Sequence, residues 1–370
     1  MISTRLRVLE NGALEVVDPR VEDLPLLRDI DPEFEVVTAP LPGFETPRFQ
    51  TMRSLGSGFS DPEIQEMDSD ELWRIHDLSM SGWMSGTPSA KSEAEVSVLA
   101  IKLELARRIL RSCTLCARRC EVDRIAGQHG FCGLGSEAIV AESFIHIGEE
   151  PPINPSHVIS LAGCALRCRY CQQSAILFPH KVKGAALDAQ FWQHPDLEVA
   201  RSLSFVGGNP DESLFAILGF LQSAPIGWAL PIVWNTHAYS SAETMSLLNG
   251  IVDVYLPDLK YSSPACGSSL SQVQNYPQVA QRTIVQMVDQ NVPVIVRLLI
   301  LPGHLHCCHF PALQFLASLP TRPRVSIRGQ YSPDWQITSS DGAMSGRISR
   351  EEVALANNMA QLLGLDCIVS

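Results

Sequence analysis

Cysteine is confined to one part of this chain. All 11 cysteines of the 370-residue sequence lie after residue 112, and seven of them fall between Cys113 and Cys171. Clustered cysteines in a cytosolic chain indicate metal binding more than disulfide bonds. The start, MISTRLRVLENG, has no apolar leader, and no run reaches the roughly 20 apolar residues of a membrane-spanning helix. We therefore expect a cytoplasmic metalloprotein without a membrane partner.

Composition and charge narrow the class of protein further. Hydrophobic residues make up 45% of the chain and charged residues 18%, so a large core can form. The net charge is −12, and residues 1–95 contribute most of it, with 19 acidic and 8 basic side chains. A chain without a basic surface is not expected to bind nucleic acid.

The sequence divides into three regions. Residues 1–91 form an acidic, cysteine-free N-terminal extension with a short predicted helix near 68–80. Two interpretations stay open: the extension wraps the surface of the remaining chain, or it docks a partner. Residues 92–150 are predicted to hold a helix and a four-cysteine metal module. That helix is expected to begin at a capping box formed by Ser92 and Glu95.

The third region, residues 151–370, alternates short apolar runs with helical segments. Such alternation predicts βα units and an α/β fold with a parallel sheet or barrel. Six runs fall short of the eight of a complete barrel, so we expect a partial (β/α)6, TIM-like barrel. A final helix should begin near Ser349, which has capping-box spacing to Glu352. The six runs are VISLAG (158–163), LSFVGG (203–208), PIVWNT (231–236), VDVYLPDLK (252–260), VPVIVRLLILPG (292–303) and RVSI (324–327).

Three cysteines follow the first apolar run at once. Cys164, Cys168 and Cys171 have the spacing C-x3-C-x2-C within GCALRCRYCQQ. Three thiolates in one tight loop can ligate three irons of a cubane cluster, which normally takes four cysteines. No fourth cysteine is near in sequence, so one iron would be open to a non-protein ligand. Buried inert thiols and a zinc knuckle are the alternatives.

This loop resembles the signature of the radical SAM superfamily, C-x3-C-x-aromatic-C, with Tyr170 at the aromatic position. The sequence is most similar to uncharacterised proteins named after the pyruvate formate-lyase activating enzyme. The resemblance covers about residues 100–365. The first 90 residues of the chain lie outside it. The motifs that carry it are C-x2-C-x3-C, GFCG, GEEPPI, the cysteine loop, VGGNP, VWNTHAY, LPDLKY, VRLLILPG and QYSP.

The resemblance implies a radical enzyme of the oxidoreductase class. A [4Fe–4S] cluster on Cys164, Cys168 and Cys171 would bind S-adenosylmethionine at its open iron. Reductive cleavage would then give a 5′-deoxyadenosyl radical that abstracts hydrogen. An electron donor such as flavodoxin or ferredoxin is implied, and so is a protein substrate: a glycyl-radical protein to be activated, or another substrate to be modified.

The resemblance also implies which residues contact the cofactor. Gly207 and Gly208 would approach the methionine amino group, and Asn209 stands where the superfamily has an acid. Asn235, Thr236 and Asp258 would surround the carboxylate, Lys260 would act as an ammonium donor, and Arg297 would make a bidentate contact. For the glycine pair a simple turn is the alternative, and for Asp258 with Lys260 a local ion pair.

A second cysteine group precedes the loop. Cys113, Cys116, Cys120 and Cys132 supply four thiolates within 20 residues, with glycines for tight turns. Four soft ligands suit tetrahedral zinc or an auxiliary [4Fe–4S] cluster, and metal-free thiols are the alternative. Two iron–sulfur sites would also suit an electron-transfer protein, which is the competing functional hypothesis. A zinc-stabilised binding module is a third.

One further loop is rich in possible ligands. His304, His306, Cys307, Cys308 and His309 follow the fifth apolar run, at the end where a barrel carries its active site. Three interpretations of this loop are open: a thiol beside the substrate that donates or accepts a hydrogen, a further metal site, or incidental thiols in a partly buried loop. We favour the last, because adjacent cysteines rarely chelate one metal well.

Overall fold

Six parallel strands form the centre of the molecule, and all six coincide with the apolar runs of the sequence. The computed structural model describes residues 6–8, 14–16 and 19–368. The strands in this part of the chain are β1 (Leu6–Val8), β2 (Leu14–Val16), β3 (Ile139–His146), β4 (Ser156–Leu161), β5 (Ala185–Ala186), β6 (Ser202–Gly207), β7 (Ile232–Thr236), β8 (Val254–Pro257), β9 (Ile295–Leu299), β10 (Arg324–Arg328) and β11 (Cys367–Ile368).

Helices cover the sheet and connect the strands. One π-helical turn, Leu305–His309, follows β9. The α-helices among the described residues are α1 (Leu24–Ile30), α2 (Arg48–Ser54), α3 (Asp61–Glu66), α4 (Ser69–Met84), α5 (Val98–Ile109), α6 (Leu214–Gln222), α7 (Ala242–Leu248), α8 (Pro264–Ser271), α9 (Tyr276–Asp289), α10 (Phe310–Ser318) and α11 (Arg350–Leu362).

The order of the strands confirms the predicted partial barrel. The larger sheet runs β5-β3-β4-β6-β7-β8, and a second sheet runs β9-β10-β11. Parallel bridges from Tyr255 to Val294 and from Asp258 to Arg297 join β8 to β9. The six parallel strands therefore form one curved series, β4-β6-β7-β8-β9-β10, as a (β/α)6 fold requires. Strands β3 and β5 extend it with antiparallel pairings that the apolar runs did not predict.

A continuous apolar core lies under this curved sheet. All six residues of β4 are buried, as expected of a strand covered on both faces. Phe205, Trp234 and Tyr255 come from three neighbouring strands and are fully buried in one cluster. Burial of one such side chain stabilises the fold by about 1.5–3 kcal/mol. The rigid sheet thereby fixes the positions of the loops at its carboxyl edge.

The N-terminal extension shares this core. Phe49, Met52 and Leu72 have no exposed surface and belong to the same cluster as Trp234. The helix predicted near 68–80 is α4. Residues 1–5, 9–13 and 17–18 of the extension, and 369–370 at the other end, lie outside the described residues. The divisions at 91 and 150 stay predictions.

The start of the helix before the cysteines differs from the expectation. Ser97, not Ser92, caps α5: its Oγ accepts a hydrogen bond from the amide of Ala100 at 3.1 Å. Backbone hydrogen bonds with Phe59 and Ser57 hold Val96 in an extended conformation, so the helix cannot begin earlier. The predicted cap was wrong because distant partners override a local signal. The capping box of Ser349 and Glu352 on α11 is confirmed.

No helix in the described part of the chain is both long and apolar enough to cross a bilayer.

Candidate cofactor and metal site

The three-cysteine loop, residues 164–171 and here called the cluster loop, follows β4 directly. Its three cysteines all line one cavity of about 310 Å³. Cys164 and Cys168 are buried, and Cys171 is half-buried. The cavity lies at the carboxyl ends of the parallel strands, which is where barrel folds carry their active sites. Its volume is within the range of small-molecule pockets.

Hydrogen bonds to helix α8 fix the cluster loop. The amide of Arg169 donates to the carbonyl of Leu270 at 2.8 Å, and the amide of Arg167 donates to that of Ser271 at 3.3 Å. The Arg167 guanidinium folds back and donates to the carbonyl of Cys164 at 2.7 Å. The loop is therefore held in shape by protein contacts alone, which preorganises its thiols.

A chain of hydroxyl groups ends on one of these sulfurs. The hydroxyls of Tyr170 and Tyr261 lie 2.7 Å apart, and that of Tyr261 lies 2.6 Å from Ser271 Oγ. Ser271 in turn donates to Cys168 Sγ at 2.9 Å. A hydrogen bond to a ligating sulfur is one of the means by which proteins set the potential of an iron–sulfur centre. Tyr261 and Ser271 carry no sequence signal for this role.

Burial makes two of these thiols, Cys164 and Cys171, poor acids on their own. It raises the pKa of the Cys164 thiol well above its usual range, with a further contribution from the Glu212 carboxylate. It also raises the pKa of Cys171 to about 12. Thiolates form here only when a cation compensates their charge, which is the condition that a bound metal satisfies.

Two glycines bring backbone against the cluster loop. Gly207 has a φ of +106°. A Cβ on Gly208 would lie 2.0 Å from the carbonyl oxygen of Gly163, just before Cys164. No side chain fits there, so the turn after β6 can approach the first thiol closely.

All nine residues predicted to contact the cofactor line this cavity. They are Tyr170, Gly207, Gly208, Asn209, Asn235, Thr236, Asp258, Lys260 and Arg297. Their shared placement follows from their position at the ends of neighbouring parallel strands. Their roles toward a cofactor stay predictions.

The side chain of Asn209 is occupied by other protein groups. Its Nδ2 donates to Glu212 Oε2 at 2.7 Å, and its Oδ1 accepts from the amide of His237 at 3.0 Å. Both polar atoms of the Asn209 side chain are thus engaged by protein partners. Glu212 also accepts from the amide of Ala165 in the cluster loop at 3.1 Å. This buried carboxylate was missed, although an acid three residues after Asn209 was a usable signal.

A second buried acid holds the ends of two strands together. Asp211 accepts hydrogen bonds from Trp234 Nε1 at 2.7 Å and from the hydroxyl of Thr236 at 3.2 Å. The Thr236 hydroxyl also accepts from the amide of Ala238, so it is fully engaged. Burial and the neighbouring Glu212 raise the pKa of Asp211. Thr236 is therefore positioned rigidly at the edge of the cavity.

An ion pair lies on the opposite wall. Lys260 Nζ is 2.6 Å from Asp258 Oδ2, and both groups line the cavity. Burial alone would lower the pKa of Lys260, but the Asp258 carboxylate, together with the neighbouring Cys168 and Tyr276, outweighs it and raises that pKa. The lysine is a fixed ammonium at the cavity surface, suited to an anionic group of a ligand.

Arg297 is held by two glutamates. Its Nε donates to Glu150 Oε1 at 2.8 Å, and its Nη2 contacts both Glu150 and Glu149. Arg328 also donates to Glu150, at 2.6 Å. Burial would raise the pKa of Glu150, but Arg297 and Arg328 outweigh this effect and lower that pKa to about 2. The predicted bidentate fork of Arg297 is thus engaged by protein carboxylates.

The four-cysteine group, residues 113–132 and here called the cysteine module, lies outside this cavity. Cys113, Cys116 and Cys132 are buried and Cys120 is half-buried. None of the four is among the described residues that line the cavity. Paired backbone hydrogen bonds from Cys113 to Val122 and from Glu121 to Cys113 fold the module into a tight knuckle. Such a closed set of four thiols is typical of a structural or electron-carrying metal site.

The distances between these thiols help to identify the metal that the cysteine module can bind. Two thiolates bound to one tetrahedral zinc lie about 3.8 Å apart, given bonds of about 2.3 Å. In the described part of the chain, no three thiols of the module come within 4.8 Å of one another. The same is true of the cluster loop. Among the described residues, the thiols of each group are therefore not all as close together as those of a zinc tetrathiolate.

Two arginines tie the cysteine module to the cluster loop. Arg118 of the module donates to the carbonyl of Ala165, and Arg167 of the loop donates to the carbonyl of Phe131. Both guanidiniums lie over the Phe131 ring, at 3.5 and 4.3 Å from its centre. Glu212 is close to both groups, since its charge adds to burial in raising the pKa of Cys116 as well as of Cys164.

The histidine- and cysteine-rich loop separates into distinct roles. His309 is buried and accepts from the amide of Leu301 at 2.9 Å, and His306 packs edge-on against Phe310. A ring nitrogen of His304 and the sulfur of Cys307 lie close to a third ligand, Cys266 on α8. Cys266 was missed, because it lies 41 residues away in sequence.

Comparison with known proteins gives one close relative. No family model matches the sequence. The uncharacterized protein MJ0674 of Methanocaldococcus jannaschii is 31% identical over 317 residues, which cover 83% of this chain and 91% of the relative.

Solved structures are similar at a lower level. A domain of pyruvate-formate lyase-activating enzyme from Bacteroides vulgatus is 17% identical, with a TM-score of 0.32 over 38% of this chain and 81% of that domain. SuiB of Streptococcus suis, bound to S-adenosylmethionine, is 15% identical, with a TM-score of 0.39 over 56% of this chain and 48% of SuiB. HydG, a maturase of the [FeFe]-hydrogenase, is 10% identical, with a TM-score of 0.42 over 82% of this chain and 63% of HydG.

Proposed function

Since this chain belongs to the family of the M. jannaschii protein MJ0674 and resembles the radical SAM superfamily, we propose that it is an S-adenosylmethionine-cleaving iron–sulfur enzyme. One observation carries the proposal. The three thiols of the cluster loop and the nine predicted contact residues, which come from five segments of the chain, line one cavity.

The residues present fit a [4Fe–4S] cluster with one open iron. Three thiols line the cavity, and a fourth thiol is not among its described lining residues. The turn at Gly207 and Gly208 packs so closely on Leu161 and Gly163 that no Cβ fits there, and this brings its backbone to the cavity wall. When bound, the cluster and S-adenosylmethionine supply one-electron cleavage of a carbon–sulfur bond and a 5′-deoxyadenosyl radical that abstracts hydrogen.

The residues of this chain bind and orient. Cys164, Cys168 and Cys171 hold the cluster, and the backbone at Gly208 and Asn209 accepts the amino group of the cofactor. Lys260 attracts its carboxylate, beside Asn235, Thr236 and Asp258 at the strand ends. Arg297 is held by Glu149 and Glu150, so its guanidinium is paired with protein carboxylates rather than free to bind the cofactor.

We propose that the cysteine module holds a second metal centre. Its wide thiol spacing favours an auxiliary [4Fe–4S] cluster over zinc. Its contacts with the cluster loop through Arg118 and Glu212 suit electron transfer between the two centres. Zinc stays the alternative, and metal analysis separates the two.

The remaining parts of the proposal concern partners. A flavodoxin or ferredoxin would supply the electron, and a reducing cytoplasm suits the free thiols. The hydrogen atom would come from a glycyl-radical protein or from another substrate. A glycyl radical would be recognised by its own electron paramagnetic resonance (EPR) signal after the enzyme, S-adenosylmethionine and a reductant are mixed with such a protein.

The first experiment is anaerobic reconstitution of the whole chain. Iron, sulfide and zinc are measured, and EPR spectra of the reduced protein are recorded with and without S-adenosylmethionine. We expect about four or eight irons, a spectrum perturbed by the cofactor, and formation of 5′-deoxyadenosine. About eight irons would assign a cluster to the module, and about four irons with one zinc that is lost in Cys116→Ala would assign zinc.

Variants make the test specific. Cys168→Ala should abolish 5′-deoxyadenosine formation, whereas Cys367→Ala, a free cysteine in β11, should retain it. Retained cleavage in Cys168→Ala would refute the proposal. A spectrum that ignores the cofactor would instead favour the two-cluster electron-transfer protein.

A further inference from the structure

Three potential metal ligands meet outside the cavity and the cysteine module. They are Cys266 on α8, His304 before the π-helical turn, and Cys307 within that turn. The two sulfurs and a ring nitrogen of His304 all lie within 4.8 Å of one another. The ligands follow β8 and β9, so they lie at the same end of the sheet as the cavity. Neither the cluster nor the second centre uses them.

The distance between the two sulfurs is that of a tetrahedral site. Cys266 Sγ and Cys307 Sγ are 3.8 Å apart. Two thiolates on one zinc, with bonds of about 2.3 Å, lie about 3.8 Å apart. A disulfide would need about 2.05 Å, so the two sulfurs are not bonded to each other. The pair is therefore close enough to share a metal ion, although Cys308 Sγ also lies 3.8 Å from Cys307 Sγ.

The imidazole is prepared to act as a ligand. His304 Nδ1 lies 2.8 Å from the carbonyl oxygen of Pro302. A carbonyl can only accept, so Nδ1 is the donor in this contact and Nε2 is the nitrogen left to bind a metal. Metal-binding histidines commonly have this arrangement, in which the other nitrogen donates to a backbone carbonyl that fixes the ring.

The local backbone supports the same placement. The π-helical turn from Leu305 to His309 is a form that occurs frequently at functional sites. The hydroxyl of Ser262 donates to the carbonyl of Cys308 at 2.8 Å and so ties the segment before α8 to this turn. Cys308 itself is buried in the apolar core. Two segments from different parts of the chain are thus held together at their cysteines.

From this geometry we infer that Cys266, His304 and Cys307 form a zinc site with one open coordination position. Two thiolates and an imidazole are a ligand set that zinc favours, and three protein ligands leave a fourth place for water or an exchangeable ligand. Cys307 is exposed and the other two ligands are half-buried, so that place faces solvent. The site would be a zinc centre at the rim of the barrel, independent of the cluster chemistry.

The test compares metal content and spectra of matched variants of the full chain. Zn²⁺ per chain is measured after equilibration with Zn²⁺, and Co²⁺ is used as a spectroscopic substitute. The wild type and Cys367→Ser should show one more tetrahedral, thiolate-bound Co²⁺ than Cys266→Ser or Cys307→Ser. Loss of one of the three ligands should weaken zinc binding by at least about 100-fold, more than an outer-shell change does.

A second measurement needs no variant. Alkylation of the chain with iodoacetamide, read by peptide mass spectrometry, should modify Cys266 and Cys307 slowly with Zn²⁺ present and rapidly after chelation. Equal rates would overturn the inference, as would equal metal content in the wild type and Cys266→Ser. A Cys266–Cys307 cross-linked peptide in the purified chain, without zinc, would also overturn it and assign a disulfide. These readouts do not depend on S-adenosylmethionine cleavage, so they can succeed or fail separately from the proposed function.

Discussion

Three thiols of the cluster loop line a cavity, whereas the four thiols of the cysteine module lie outside its described lining. The cluster loop joins glycines, an ammonium group and strand ends around a space that a small molecule can enter. The module closes on itself through backbone hydrogen bonds between Cys113, Glu121 and Val122. The difference teaches that the number of thiols in a group and the residues around them indicate its role better than the density of cysteines in the sequence. An incomplete set beside a cavity suits reactivity, and a complete set without one suits structure or electron transfer.

The largest effect should come from removing one thiol of the cysteine module. Cys116→Ala should remove the whole metal complement of the cysteine module and lower the free energy of unfolding by more than about 3 kcal/mol, because metal binding contributes directly to folding. The EPR signal that responds to S-adenosylmethionine should persist. Metal analysis and denaturant unfolding measure both effects, with Cys367→Ala as the control. Unchanged metal content would show that the module is metal-free.

The next effect concerns the cavity alone. In Gly208→Ala, the added Cβ would lie 2.0 Å from the Gly163 carbonyl oxygen, so the turn or the cluster loop must shift. We expect a loss of about 3 kcal/mol in stability and of the response to S-adenosylmethionine, with the module's metal retained. Gly219→Ala on α6 is the matched control, since its Cβ would meet only Leu103 at 3.8 Å and should change stability by less than about 1 kcal/mol. Normal cofactor response in Gly208→Ala would contradict the close approach.

A smaller effect should reach both groups at once. Glu212→Gln would keep the shape but place an amide donor against Asn209 or Ala165, which both donate to this buried carboxylate. We expect a loss of about 1–3 kcal/mol and altered EPR spectra of both metal centres. Glu243→Gln, whose carboxylate pairs with the half-exposed Arg119, should cost less than about 1 kcal/mol. A change at one centre only would mean that Glu212 does not link the two groups.

The smallest effect should be on redox potential. Ser271→Ala removes the hydrogen bond to Cys168 Sγ and leaves more electron density on that sulfur. The midpoint potential of the first cluster should fall by on the order of tens of millivolts, with no loss of iron. Ser269→Ala, on the same helix but bonded only to the carbonyl of Cys266, should leave the potential unchanged. Potentiometric EPR titration measures both, and equal potentials would remove Ser271 from this role.

Much of the fold could be predicted because its signals are local. The six buried runs alternate with helical segments within a few residues, and the strand order follows once they are parallel. The three cysteines of the cluster loop and Gly207–Gly208 lie at strand ends, so their meeting at one edge was also predictable. The antiparallel strand β3 was not, because its alternation was weaker than the apolar runs beside it.

The remaining parts depend on contacts between distant segments. Ser271 reaches Cys168 across 103 residues, and Cys266 reaches Cys307 across 41. Glu149 and Glu150 meet Arg297 only when the first and fifth barrel strands close toward each other. No spacing rule connects such pairs, since loop lengths do not encode which side chains face each other. The start of α5 at Ser97 shows the same limit, because tertiary hydrogen bonds override the local cap.

Arg118 and Arg167, which both lie over the ring of Phe131, have a consequence for how the protein matures. Arg118 supports the cluster loop, and Arg167 supports the module, so neither cysteine group reaches its final geometry until the other is in place. A chain leaving the ribosome makes the module first, but must wait for the loop and helix α8 before either pocket is complete. Iron insertion is therefore expected to follow the folding of both segments, rather than to begin on the module while the loop is still being made.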